Sequence, residues 1–142
     1  MLLSACASSP KPLVVKQFLL RDQVPGRTDD PMVRMEKERR LHGAVSMAER
    51  SALLGQYYTL IWNDPTNVGN GEVEVVFEYQ QGATASRIKR ITRSFPASES
   101  HGTVELAVIG EDYTKGGRVL AWKATVSRGK RYIASQQSYL WQ

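Results

Sequence analysis

Glu72-Val73-Glu74-Val75-Val76-Phe77-Glu78-Tyr79 decides how this 142-residue chain folds. Apolar and acidic residues alternate with the two-residue period of a strand, so Val73, Val75, Phe77 and Tyr79 face a core and Glu72, Glu74 and Glu78 face water. Gln80-Gln81-Gly82-Ala83 then turns the chain. Ser86 to Phe95 returns as a second strand carrying Arg87, Lys89, Arg90 and Arg93. In a hairpin these cations sit beside the three glutamates, and such cross-strand pairs contribute roughly 0.2–1 kcal/mol each. On the upstream side, Asn67-Val68-Gly69-Asn70-Gly71 is a tight turn. Before it, Gln56-Tyr57-Tyr58-Thr59-Leu60-Ile61-Trp62 is an aromatic and β-branched strand that Asn63-Asp64-Pro65 ends.

The same reading extends to both ends. Thr103 to Ile109 alternates with Val104, Leu106 and Val108 inward, and Gly110 to Gly117 is expected to be a hairpin loop. Val119 to Ser127 follows with Leu120, Trp122, Ala124 and Val126 on one face, and after a turn at Arg128-Gly129 a last strand runs from Arg131 to Trp141. Toward the N-terminus, Leu13 to Leu20 has strand composition. Asp30-Pro31 is a helix start, an Asp cap with Pro at the first helical position, for a helix over 31–42 that Gly43 ends. A strand over Arg39 to Val45 is the alternative. Ser46-Met47-Ala48-Glu49 matches a capping box and opens a short helical turn through Ala52.

Seven strands separated by turn signals predict a mainly β chain: an antiparallel sandwich with one or two short N-terminal helices. Over residues 55–142 the pattern resembles an immunoglobulin- or fibronectin-III-like domain. The closing pair carries this likeness, an alternating strand with Trp122 and then one rich in Ser, Gln and Tyr, although the Cys…Trp…Cys hallmark of antibody domains is missing. A twisted sheet clasping the 31–42 helix is the other architecture. The expected organisation is a leader and linker over 1–12 and one β domain over 13–142.

Charge is distributed unevenly. The chain carries +5, but residues 1–86 hold 9 Lys/Arg against 10 Asp/Glu, while residues 87–142 hold 10 against 4. Arg87, Lys89, Arg90, Arg93, Arg128, Lys130 and Arg131 are therefore the candidate polyanion-binding residues. A solvated sheet face is the simpler account of them. Nucleic-acid-binding sheets interleave aromatics with basic residues for stacking, and here none appears until Phe95, which argues against nucleic acid.

Reaction chemistry is sparse. His42 and His101, the two histidines, have no Cys or carboxylate at ligand spacing, so neither a metal nor another cofactor is expected. Glu99-Ser100-His101 has the residue types of a catalytic triad, but neighbours in sequence do not normally point at one another, and it reads as a polar loop. Thr114-Lys115-Gly116-Gly117 lacks the order of a phosphate loop. Catalytic residues are expected to be absent. Tyr57, with Thr59 and Ile61, faces away from Tyr58 and Trp62, either as an exposed strip or packed against a second sheet or the 31–42 helix.

Leu3-Ser4-Ala5-Cys6 holds the chain's one cysteine. It resembles a bacterial lipobox, in which two small residues precede the cysteine that takes a thioether-linked lipid. Ala7-Ser8-Ser9-Pro10-Lys11-Pro12 has the composition of an extended tether. Only Met1 and Leu2 precede the motif, too few for the apolar region of an export signal. Either the reading frame starts further upstream or the motif is chance. The resemblance implies a membrane anchor through Cys6 and, with Ala7 rather than Asp after it, the periplasmic face of the outer membrane. The expected function is then a lipid-anchored, non-catalytic domain that binds an envelope protein or polymer. The alternative is a cytosolic domain that binds nucleic acid or another polyanion through its basic C-terminal part.

Overall fold

The computed structural model describes residues 10–84 and 86–142; Cys6 and its motif lie outside the described residues. Strand β1 (Leu13–Leu20), β2 (Gly55–Asn63) and β5 (His101–Ile109) form a three-stranded sheet in the order β1-β2-β5. Strands β3 (Val73–Gln81), β4 (Ile88–Phe95), β6 (Val119–Arg128) and β7 (Arg131–Gln137) form a four-stranded sheet in the order β4-β3-β6-β7. All pairings are antiparallel. Three helices accompany them: α1 (Pro31–Leu41) and α2 (Met47–Ala52) between β1 and β2, and α3 (Gly110–Gly116) between β5 and β6.

The opening octapeptide behaves as its alternation predicts. Val73, Val75, Phe77 and Tyr79 are buried, and they share one core with Tyr58, Leu60, Trp62, Leu106 and Val108 of the other sheet. Aromatic rings fill the interior: Tyr58 lies 4.7 Å from Phe77, and Trp62 meets Phe95 edge-on at 5.2 Å. Gly102 permits that last contact, because a Cβ there would come within 2.6 Å of Trp62 Nε1 and 2.9 Å of the Phe95 ring.

Both helix starts form as their residues dictate. Asp30 accepts the Met32 amide at 2.9 Å, with Pro31 behind it. Ser46 and Glu49 satisfy each other's backbone amides in a complete capping box.

Four expectations are corrected. Gly110 to Gly116 is a helix, tied down when Gln81 Nε2 donates to Asp112 O and Gly117 O at 2.9 and 3.0 Å. Leu120 faces solvent, 51 % exposed, since a bulge shifts the β3–β6 register from Gln80↔Ala121 to Gln81↔Val119 and skips it. The last strand stops at Gln137 rather than Trp141. In the β3–β4 hairpin only Arg90 faces a glutamate, Glu78, at 3.2 Å; Lys89 stands opposite Tyr79 and pairs with Asp112, and Arg93 stands opposite Val75.

Candidate functional site

Antiparallel pairing gives the molecule two ends. The described chain enters at the first, where the Asn63 amide donates to Pro12 O at 3.0 Å and where β2, β4 and β6 finish. At the second, β1 ends at Leu20, β2 begins at Gly55, and β5 runs into α3. The 34-residue connection 21–54, with α1 and α2, leaves from this helical end and returns to it.

The entry end is locked by an ion cluster. Arg128 is 1 % exposed. Its Nε donates to Asp64 at 2.8 Å, and its remaining nitrogens donate to the carbonyls of Gly71, Ala97 and Glu99 at 3.1, 3.0 and 2.7 Å. Arg131 adds a second contact to Asp64 at 2.8 Å. Burial pushes the Asp64 carboxyl up, but hydrogen bonds from Arg128 and Asn67 and the charges of both arginines outweigh it and hold the pKa below the ordinary 3.8. One guanidinium thus joins three chain segments.

The helical end is held differently. Lys37 reaches Asp22 and Asp29 at 3.0 and 2.9 Å. The guanidinium of Arg40 lies 4.2 Å above the Tyr57 ring and donates to Glu36 at 2.8 Å. Glu105 of β5 receives Arg39 at 3.2 Å. Leu41, packed with Leu20 and Tyr57, is the one apolar residue of α1 that is buried. Tyr57 is therefore covered, as the packed alternative predicts. The apolar residues of the first turns point outward: Met32 is 70 % exposed, and Met35 is exposed beside it. They line an open groove of about 630 Å³ with Glu36, Glu38, Arg39 and His42.

Most of the exposed apolar residues lie in segments attached to this end. Among the described residues twelve large apolar side chains are exposed, and six of them (Val24, Met32, Val33, Met35, Val45 and Met47) belong to the 21–54 connection. Ile88, Leu120, Tyr139 and Leu140 lie in segments that start or finish at the same end, which leaves Val68 and Tyr132 at the entry end. Met is enriched at protein contacts because its unbranched, polarisable side chain adapts to varied partners. Sequence reasoning missed these methionines, although Met32, Val33 and Met35 fall within one turn of a helix whose later turns are charged.

The predicted basic residues do not converge. Arg128 is enclosed and saturated with acceptors, so it is not available to a polyanion. Lys89, Arg90 and Arg131 are engaged by Asp112, Glu78 and Asp64. Arg87 and Arg93 lie just before and within β4, at one edge of the four-stranded sheet, and Lys130 lies in the β6–β7 turn at the opposite edge. Ser100 and His101 do meet, against expectation, with Oγ 3.0 Å from Nδ1, but they do so at the surface. Among the described residues no group of three or more metal-binding side chains occurs, and no helix is long and apolar enough to cross a membrane.

Comparison with protein-family models, with curated proteins and with solved structures finds no match to this chain.

Proposed function

We propose that this protein is a lipid-anchored, non-catalytic interaction module of the bacterial cell envelope, held by Cys6 at the periplasmic face of the outer membrane. It presents its helical end to a protein partner. In this reading residues 7–12 are the tether and the two sheets form a fibronectin-III-like sandwich. Lettering the strands A, B, C, C′, E, F and G in chain order gives sheets A-B-E and C′-C-F-G, the arrangement of that class, and this supports the finer assignment.

The observation that carries the functional reading is the separation of the two ends. The chain arrives at one, and ten of the twelve exposed large apolar side chains of the described residues belong to segments of the other. A domain tethered at its entry end holds the opposite end away from the bilayer, where an adaptable Met-bearing surface meets a second protein.

Photo-crosslinking in cells tests this. A photoreactive residue at Met35 gives a discrete adduct that Met32→Asp weakens at least fivefold, and one at Val68 gives none. Equal yields from both positions, or none from Met35, contradict the proposal.

A further inference from the structure

A second cavity lies at the helical end, between the sheets beside edge strand β1, with a volume of about 190 Å³. The β1–β2 register places Gln17 opposite Tyr58 and Leu19 opposite Gln56, so these side chains share the face that lines it. Arg118, exposed just before β6, completes the lining. No acidic residue does.

Its polar groups are unbalanced. Gln56 is engaged: Oε1 accepts the Val119 amide at 2.6 Å and Nε2 donates to Tyr58 Oη at 3.4 Å. Tyr58 accepts that bond, but its own O–H finds no acceptor among the described residues. The guanidinium of Arg118 and the amide of Gln17 likewise have no side-chain partner there. Tyr58 is almost fully buried and wedged against Phe77 and Trp122, with centroids at 4.7 and 6.0 Å, so its hydroxyl is fixed in place. Burial raises its pKa, against the opposing charge of Arg118, and the hydroxyl stays a donor.

We propose that this cavity binds a carboxylate, received by the Arg118 fork and the exposed Gln17 amide at its mouth and by the Tyr58 hydroxyl within. Three donors around one positive charge match a planar monoanion, and the guanidinium takes both of its oxygens. Ligand pockets for larger molecules measure roughly 300–1,000 Å³. At 190 Å³ this one admits a short acid, or the acidic end of a polypeptide, and not a cofactor. The inference goes beyond the anchoring reading and stands without it.

Titration of the full-length chain with propionate, followed by ¹H–¹⁵N NMR, tests the site. The expected result is saturable shifts at Gln17, Gln56 and Arg118, with affinity reduced at least tenfold in Arg118→Gln and threefold or more in Tyr58→Phe. Lys130→Gln, which changes net charge equally in the β6–β7 turn at the entry end, leaves it unchanged. A second arm compares acetyl-tetraalanine acid with its C-terminal amide. Tighter binding of the peptide acid than of propionate identifies a polypeptide end as the source, and the reverse identifies a free short acid. Absence of saturable shifts, binding of the peptide amide as tight as that of the peptide acid where the acid binds, or loss in Lys130→Gln as large as in Arg118→Gln overturns the proposal. Coincident thermal unfolding of Arg118→Gln and wild type shows that the exposed substitution leaves the fold intact.

Discussion

Single residues carry a disproportionate share of this fold because they sit where chain segments converge. Arg128 is one: four of its donors are used on Asp64 and on three carbonyls from two loops. Removing one member of a buried pair strands the other, at a cost of about 3–5 kcal/mol. Arg128→Met is therefore expected to lower the unfolding free energy by about 3 kcal/mol or more, read from the urea midpoint at constant slope. The pH dependence has a defined sign. Asp64 is depressed below 3.8 in the folded chain, so its contribution is fully present above that value and is lost as pH falls through the lower folded pKa. Asp64→Asn removes this dependence, and the acid limb of its stability curve below about pH 4 becomes shallower than in wild type. Gly102 is the second such residue: with Trp62 Nε1 only 2.6 Å from a built Cβ, Gly102→Ala overpacks the core and costs about 1–3 kcal/mol in the same measurement.

Elements differ in how legible they were. The strands could be read because an alternating pattern and a half-buried ladder are the same fact stated twice, as Val73 to Tyr79 and Val104 to Val108 illustrate. Helix α1 was legible from its cap, but not from any apolar stripe, because its attachment is ionic and aromatic: Lys37 to two aspartates, and Arg40 over Tyr57. Helix α3 was not legible. It is seven residues long with glycines at both ends, and contacts from Gln81 and Tyr79, distant in sequence, tie it to the sheet. Leu120 was misread for a related reason, since a bulge is set by what lies across the strand and not by local alternation. Two outcomes belong here. Leu120→Ser changes stability by less than about 0.5 kcal/mol, as an exposed position should, whereas Leu106→Ser in the core is severely destabilising in thermal melts. Raising salt screens the partly exposed pairs that hold α1, so in hydrogen exchange at 1 M NaCl the α1 amides exchange severalfold faster while β3 amides stay protected.

At the scale of the whole molecule the two ends have different chemistry: one is closed by a buried arginine and receives the N-terminal part of the described chain, and the other carries the Arg118 cavity and is the origin of the segments that expose methionines, Tyr139 and Leu140. This polarity was not legible in the sequence. The segments of Met32, Met35 and Leu120 come to share one end only through the strand order, and Tyr58 and Arg118, sixty residues apart, line one cavity with Gln17 and Leu19 of β1. The basic C-terminal excess, conspicuous along the chain, is half engaged in ion pairs, five of its ten cations, and divided between two sheet edges. The proposed anchor turns the polarity into an orientation, and it rests on Cys6. The most direct test is metabolic labelling with a palmitate analogue of the protein expressed from its own genomic locus, followed by membrane fractionation. The account predicts a labelled protein in the outer-membrane fraction and complete loss of label in Cys6→Ser. An unlabelled wild-type protein recovered in the soluble fraction would contradict it.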